Sequence, residues 1–274
     1  MPGEARATWS IVAVDPETRE VGAAAATCTV GVELIHGSVP GKGVILAQAA
    51  TNIAARRRGV EMIASGASPK EVIDVIATEE FNPGRPWNAP WREQQYGVVV
   101  LGADPSAVQF TGADTVPWSG GQAEGSVSVQ GNMLYGPEVV DAAFRTFREA
   151  EGSPICRRNL AERLLLALEA GAERGGDKRC SRGRGALTAF LAVSRPDDPA
   201  DSPSLYLVAP RAFGLLGSLR HMLFSYSPSG ETPPPVRQLR DMYESWLETH
   251  PGWRDSCSED ETEGRDESKR QESR

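Results

Sequence analysis

Apolar and polar positions alternate at the start of the chain in a way that predicts a β-hairpin. Residues 8–15 and 20–30 form the two strands of this hairpin, and an Asp-Pro turn at 15–18 joins them. Side chains of a strand alternate between its faces. Ser10, Val12 and Val14 therefore share one face, and Trp9, Ile11 and Ala13 the other. Because both faces are largely apolar, we expect this strand to lie centrally and to be covered on both sides.

The later patterns predict groups of strands separated by groups of helices. Strands are predicted at 41–51, 96–103, 107–112, 126–132, 185–195 and 204–210, and helices at 52–65, from Ser68 onward, at 137–150 and at 158–173. A Pro- and Trp-rich loop is predicted at 82–95. This grouping favours an α+β fold with mainly antiparallel sheets and helices outside them. Two sheets stacked face to face between helix layers would bury strands that are apolar on both faces.

The chain divides into four segments. Residues 1–7 are an N-terminal extension, and residues 8–230 form the main domain. Residues 231–250 are a Pro-rich link and an amphipathic helix; its apolar face comprises Val236, Leu239, Met242, Tyr243, Trp246 and Leu247. Residues 251–274 are charged and almost free of apolar residues, so we expect this tail to be disordered.

Composition and charge narrow the classes of function. The 274 residues carry a formal net charge of -8, so the basic surface typical of a nucleic-acid-binding protein is not expected. No apolar run approaches the roughly 20 residues of a membrane span, and the first residues do not resemble a secretory signal. We therefore predict a cytoplasmic protein that binds neither nucleic acid nor membranes, with reduced thiols as the default state.

Metal and cofactor motifs are also missing from the sequence. The four cysteines contain no CxxC pair, and the three histidines lack the spacing of metal ligands. Neither a phosphate-binding GxxxxGK[ST] loop nor a GxSxG motif occurs, so no cofactor is predicted. Arginines 56–58 stand near a helix start, where the helix dipole disfavours cations. This placement indicates either an acidic partner or a solvated basic face.

Several segments, in this order and spacing, resemble one family. They are TWSIVAVDPETREVG, VPGKGVILAQA, RRRGVEMIASGASPKEVI, QYGVVVL, FTG, VQGNML, GPEVVDAAFRTF and LAERLLLALEAGAERGGDKR. Together they resemble the family called domain of unknown function 1028, over about residues 8–208. Members of that family look like N-terminal nucleophile (Ntn) hydrolases. The resemblance therefore implies a four-layer α-β-β-α sandwich with two mainly antiparallel sheets inside.

The resemblance also implies a nucleophile. In Ntn hydrolases a Ser, Thr or Cys with a free α-amine attacks an amide carbonyl, and the amine takes the proton. The family pattern places Thr8 at this position, but in many relatives the threonine directly follows the initiator methionine. Here residues 1–7 precede it and have to be removed, by the chain itself or by a protease. The alternative is that Thr8 is an ordinary β-branched residue at a strand start.

The other candidate catalytic residues are Ser10, Gln130 and Asn132. Ser10 shares the face of Thr8 and either orients it, substitutes for it, or is an ordinary strand serine. Gln130 and Asn132 lie on one side of a strand, and Gly131 between them permits close backbone approach. Their amide groups are suited to donate hydrogen bonds to an oxyanion. The alternative for this segment is a strand end followed by a turn.

Three further residues are candidates for substrate binding. Gln48 is a polar amide among small apolar residues, so it needs a buried partner or a ligand. Asn52 either contacts the substrate or caps the helix that follows it. Lys42, in a Pro-Gly-Lys-Gly turn, either tunes the amine of Thr8 or is a solvated turn lysine.

Cys28 and Cys180 form a pair by the same resemblance, because some relatives appear to have cysteines at both positions. We therefore expect their Cα atoms to lie within roughly 7 Å, the outer limit for a disulfide. Whether the two thiols are bonded stays open, and a reactive Cys28 is an alternative source of chemistry.

The predicted function is hydrolysis of a small amide or peptide bond by Thr8, conditional on removal of residues 1–7. The alternative is a non-catalytic binding or structural protein that retains the fold without processing. A homo-oligomeric state stays open.

Overall fold

The structure, a computed structural model, describes residues 7–82, 90–153, 156–210 and 233–254. The predicted tail from residue 255, most of the predicted N-terminal extension and part of the loop predicted at 82–95 lie outside these ranges. The elements below are numbered in chain order.

A six-stranded antiparallel sheet forms the centre of the molecule, in the order β12-β11-β2-β1-β8-β7. Its strands are β1 (Thr8–Val14), β2 (Val21–Thr27), β7 (Gly120–Glu124), β8 (Val127–Asn132), β11 (Thr188–Ser194) and β12 (Leu205–Ala209). Strand β1 lies between β2 and β8 and is buried along its whole length. The central position predicted for it is confirmed.

A four-stranded antiparallel sheet faces the first, in the order β3-β4-β5-β6. Its strands are β3 (His36–Val39), β4 (Gly43–Ala49), β5 (Gln94–Val100) and β6 (Ser106–Thr111). A separate ribbon pairs β9 (Gly152–Ser153) with β10 (Cys156–Arg157).

Five α-helices lie in the described ranges: α1 (Ile53–Ala64), α2 (Pro69–Ile76), α3 (Glu138–Glu149), α4 (Leu160–Glu173) and α5 (Pro235–Thr249). Short 3₁₀ turns occur at Val32–Ile35, Trp91–Glu93 and Pro251–Trp253. Side chains cap two helix starts as the sequence predicts. Asn52 accepts a hydrogen bond from the amide of Ala55, and Ser68 and Glu71 form a capping box. None of the described helices combines the length and the apolar character that crossing a bilayer requires.

Three apolar clusters hold the layers together. Helices α3, α4 and α5 cover the outer face of the six-stranded sheet, which includes Trp9, Ile11 and Ala13. Helices α1 and α2 cover the four-stranded sheet. Val12 and Val14 pack between the sheets against Val44, Leu46 and Val99. The predicted two-sheet α+β sandwich is therefore confirmed, as are the two faces of β1.

Strands β3 and β7 and the short ribbon are absent from the sequence prediction. Strand β7 has the sequence GGQAE, and all its residues are at least partly exposed, so it shows no alternation of apolar and polar residues. Strand β5 begins at Gln94, inside the predicted loop. The prediction starts the strand too late because its first two residues are buried glutamines and not apolar side chains. The apolar face of α5 is as predicted: Val236, Leu239 and Tyr243 are buried in the core of the six-stranded sheet.

Candidate functional site

A row of polar residues crosses four strands at one end of the six-stranded sheet. Asn132, Thr8, Thr27 and Thr188 are successive register partners on β8, β1, β2 and β11. All four are buried. Thr8 lies two residues before Ser10, whose side chain reaches the facing sheet, so Thr8 occupies the same inner face.

The facing sheet presents a matching polar row. Gln48, Gln95 and Thr111 are register partners on β4, β5 and β6. Gln48 Nε2 donates to Gln95 Oε1 at 2.8 Å, and Gln95 Nε2 donates to Thr111 Oγ1 at 2.8 Å. The second glutamine also reaches across to the six-stranded sheet, because Gln95 Nε2 lies 2.9 Å from the carbonyl oxygen of Gly131.

Ser10 joins the two rows. Its hydroxyl donates to Gln48 Oε1 at 2.6 Å and accepts from Gln130 Nε2 at 2.6 Å. The other end of the Gln130 amide accepts from Ser128 Oγ at 2.8 Å. Both ends of the Gln130 amide are therefore hydrogen-bonded, and its Nε2 donates to Ser10. The sequence analysis predicts instead that this amide donates to an oxyanion.

Gly97 of the facing sheet makes room for Gln130. A Cβ atom at position 97 would lie 2.2 Å from Gln130 Oε1. Only glycine lets the β5 backbone approach this amide so closely.

Asn132 differs from Gln130 because only one end of its side-chain amide is hydrogen-bonded to the described residues. Its Nδ2 donates to Gln95 Oε1 at 3.2 Å, but its buried Oδ1 has no hydrogen-bond partner among the described residues. Leaving a buried acceptor unsatisfied costs about 1–3 kcal/mol. Asn132 is the register partner of Thr8 on the neighbouring strand. A ligand or a new amine that donates to Asn132 Oδ1 would remove this cost.

Two side chains donate hydrogen bonds to the peptide bond before Thr8. The carbonyl oxygen of Ala7 accepts a hydrogen bond from Thr27 Oγ1 and another, of 3.0 Å, from Arg179 Nη2. The guanidinium is held by the fully buried carboxylate of Asp177, with Nη2 at 2.7 Å from Oδ2 and Nε at 3.1 Å from Oδ1.

Cys28 and Cys180 form a disulfide, with Cα atoms 5.9 Å apart. The predicted proximity is confirmed and the bond is formed, so the expectation of reduced thiols does not hold for this pair. A reactive Cys28 thiol is excluded in this state. The bond ties the end of β2 to the turn of Asp177 and Arg179, and the Cys28 amide also donates to Asp177 Oδ2 at 2.7 Å.

Two candidate residues lie away from these rows. Lys42 precedes β4 and Gln48 lies near its end, roughly 20 Å apart at strand spacing; Lys42 Nζ donates to the carbonyl oxygen of Ala64 at 2.6 Å. Asn52 caps α1 and bonds to Asn82, which in turn accepts from Gln94. The structure does not bring Lys42 or the Asn52 side chain into the cluster around Thr8.

Several residues of the site are not singled out by the sequence analysis. It places Gln95 in a loop, although the run EQQYGVVV continues the β5 strand into two buried glutamines. Thr27, Asp177 and Arg179 come together through long-range contacts, among them the pairing of β1 with β2 and the disulfide, so no local pattern predicts them.

A groove of about 700 Å³ lies elsewhere, between α1 and the β11–β12 side of the molecule. It is lined by His36, Arg56, Arg57, Glu61, Asp201 and Tyr206, among others. Burial, reinforced by Arg56, lowers the pKa of His36 to about 4. The guanidinium of Arg56 bonds to the carbonyl oxygens of Leu34 and His36, so this arginine of the basic run has partners inside the chain.

No cluster of three or more His, Cys, Asp or Glu residues suited to a metal ion occurs in the described ranges.

Comparison with known proteins places the chain among uncharacterised relatives. A model described as "Family of unknown function (DUF1028)" matches residues 8–208. Protein SPO2555 from Silicibacter pomeroyi, a DUF1028 protein of known crystal structure, is 23% identical, with a TM-score of 0.63 over 88% of this chain and 89% of that one. At this identity the likeness concerns the fold alone. No curated protein matches the chain.

Proposed function

Since the chain belongs to the DUF1028 family, to which no activity is assigned, we propose from its own site that it is an amide-bond hydrolase. Thr8, once its α-amine is free, attacks the carbonyl carbon of a small amide or peptide. The amine takes the hydroxyl proton and passes it to the leaving nitrogen, and water then hydrolyses the threonyl ester.

The observation that carries this proposal is the buried Oδ1 of Asn132, which has no hydrogen-bond partner among the described residues and belongs to the register partner of Thr8. A free α-amine at Thr8, or the N–H of a bound amide, is the kind of donor that this acceptor lacks. Replacing a buried polar network by apolar side chains of the same shape is often neutral or stabilising, and apolar side chains fill most of the space between the sheets elsewhere.

The remaining polar residues orient the reacting groups. Ser10 is held between Gln130 and Gln48, two residues along the strand from Thr8. Gln95 holds Asn132 and is itself held by Gln48. Every one of these contacts joins the two sheets or adjacent strands, so the site is rigid before a substrate arrives. Such preorganisation lowers the reorganisation needed in the transition state.

A chain that begins at Thr8 tests this proposal. It can be produced with a single methionine before Thr8, and its mass shows whether that methionine has been removed. We expect this form to hydrolyse members of a panel of small amides and dipeptides, the Thr8→Ser variant to retain activity, and the Thr8→Ala variant to have none. Absence of activity in the chain with a free Thr8 amine, or equal activity in Thr8→Ala, would contradict the proposal.

The second candidate is a non-catalytic binding protein. It is favoured by the two side chains that hold the segment before Thr8 in place, because Thr27 and Arg179 both donate to the Ala7 carbonyl oxygen. Under this alternative, residues 1–7 stay attached in the mature protein and the cluster serves as a buried structural network. The intact mass of purified full-length protein distinguishes the two candidates.

A further inference from the structure

We propose that the groove between α1 and the β11–β12 side of the molecule binds a small zwitterion of the amino-acid or short-peptide type. The carboxylate of this ligand is held by Arg56 and Arg57, and its ammonium group by Asp201. None of the residues that line the groove belongs to the cluster around Thr8, so the inference goes beyond the proposed hydrolysis and does not depend on it.

The groove lies where an edge strand of each sheet meets the same space. Strand β3 is an edge of the four-stranded sheet and β12 an edge of the six-stranded sheet. Residues 36–38 of β3 and Tyr206 of β12 both line the groove. Its volume of about 700 Å³ falls within the roughly 300–1,000 Å³ of typical small-molecule pockets, so it is large enough for a short peptide.

Arg56 has one side of its guanidinium occupied and the other open. Its Nη1 donates to the carbonyl oxygens of Leu34 and His36 at 2.7 and 2.9 Å, which fixes the group beside the start of β3. Its Nε and Nη2 have no hydrogen-bond partner among the described residues. Because the two carbonyls already have a donor, we expect a ligand to be held here by side chains and not by strand addition to β3.

Arg57, the next residue of α1, makes no hydrogen bond or ion pair within the part of the chain that the structure describes. Burial, and after it the charge of Arg57, lower the pKa of Arg56, so the two like charges oppose each other at the groove wall. His36 adds no charge at neutral pH because its pKa is about 4. A carboxylate bound to both guanidinium groups would relieve the repulsion through charge-assisted hydrogen bonds.

The opposite wall supplies an anion and an apolar surface. Asp201 lies between β11 and β12 and has no hydrogen bond or ion pair to the described residues. Tyr206 is 48% exposed. Its neighbours Leu205 and Leu207 are buried in the outer core, so the alternation of β12 leaves the Tyr206 ring on the groove side. The ring offers contact to an apolar side chain of the ligand.

The charges on the two walls decide the class of ligand. A simple anion would gain from the arginines but would lie near the carboxylate of Asp201. A molecule with a carboxylate at one end and an ammonium group at the other complements both walls, and such complementarity determines specificity. The acidic partner that the sequence analysis gives as one alternative for arginines 56–58 is then the carboxylate of this ligand.

The test is binding of the dipeptide alanyl-leucine, measured by isothermal titration calorimetry. The full-length chain carries Thr8→Ala, so no hydrolysis at Thr8 interferes. We expect a dissociation constant of about 1 mM or tighter. Alanyl-leucine amide, which lacks the carboxylate, and N-acetyl-alanyl-leucine, which lacks the ammonium group, should each bind about tenfold more weakly.

Two variants assign the charged groups of the walls. Arg57→Gln should lose most of the preference for alanyl-leucine over its amide, and Asp201→Asn most of the preference over the N-acetyl form. Both side chains are exposed, so neither change should affect folding. Arg58→Gln is the matched control, because Arg58 belongs to the same run but pairs with Glu61 at 3.2 Å and does not line the groove. It should keep both preferences.

The outcomes are decisive in either direction. A chain that binds none of the three compounds at concentrations up to about 10 mM, or that binds all three equally, overturns the inference. Full preferences retained by Arg57→Gln or Asp201→Asn, or lost equally in Arg58→Gln, overturn it as well. None of these results bears on amide hydrolysis, which is measured separately in the chain that begins at Thr8.

Discussion

The unpaired oxygen of Asn132 leads to an unusual expectation: removing this buried polar residue should not destabilise the uncleaved chain. The perturbation is Asn132→Leu, which has the same branching, made in a Thr8→Ala background so that the chain stays intact. The substitution loses the 3.2 Å hydrogen bond from Nδ2 to Gln95 Oε1, worth about 0.5–1.5 kcal/mol. It also removes a buried acceptor without a partner among the described residues, which restores about 1–3 kcal/mol.

The net effect is therefore expected to lie between a loss of about 0.5 kcal/mol and a gain of about 2.5 kcal/mol in stability. No new orphan is created, because Gln95 Oε1 keeps its 2.8 Å hydrogen bond from Gln48. For a chain of this size, 1 kcal/mol corresponds to a shift of about 2–4 °C in the unfolding midpoint. Urea unfolding and thermal unfolding, monitored by circular dichroism, measure the difference.

Gln130→Met in the same background is the matched control. Gln130 is also buried in β8, but both ends of its amide are bonded, to Ser10 and to Ser128. Its removal leaves the Ser128 hydroxyl without this acceptor and should cost at least about 2 kcal/mol. If Asn132→Leu lowers stability by more than about 1 kcal/mol, as the control does, Asn132 Oδ1 has a partner and the reasoning is refuted.

Three further outcomes are expected. Replacing both Cys28 and Cys180 by alanine should lower the free energy of unfolding by up to about 5 kcal/mol in the chain-entropy model, since the disulfide spans 152 residues; chemical denaturation without reductant measures this, and an unchanged midpoint would contradict it. The pKa of His36 is lowered to about 4, below its unfolded value, so the folded state should lose up to about 3 kcal/mol as pH falls from 7 to 4. The same titration on His36→Asn should show a shallower slope, and an identical slope would exclude this histidine as the cause. Gly97→Ala should displace the Gln130 amide, whose Oε1 would lie 2.2 Å from the new Cβ, and should reduce both stability and any amide hydrolysis.

The sequence predicts the fold well where burial is regular. Strand β1 is apolar on both faces, and this alone places it in the middle of a covered sheet. The caps at Asn52 and Ser68 mark helix starts because their side chains bond locally, within three residues. Strand β7 escapes prediction because half-exposed glycine and polar residues leave no periodic signal, and its place is set by pairing with β8.

The candidate site is predictable from the sequence only in part, because the contacts of its side chains depend on how the strands pair. Gln48 and Gln130 are recognisable because an amide inside a small or apolar strand needs a buried partner. The partner itself, Ser10 for both of them, becomes known only when β1 pairs with β8 and the two sheets are stacked. Arg179 is harder to predict, because it donates to the carbonyl oxygen of Ala7, a residue 172 positions away in the sequence.

The position of the polar residues within the sandwich argues for a function. Elsewhere the two sheets are joined mainly by apolar side chains, together with one contact between the hydroxyls of Ser38 and Ser194. At the end where β1 begins, this apolar contact gives way to amides and hydroxyls that satisfy one another across the gap, except at Asn132. An apolar substitute for such a network is often neutral or stabilising. A polar end in which the register partner of Thr8 keeps one open acceptor, and in which a cation holds the carbonyl before Thr8, is the arrangement that the proposed reaction at Thr8 requires.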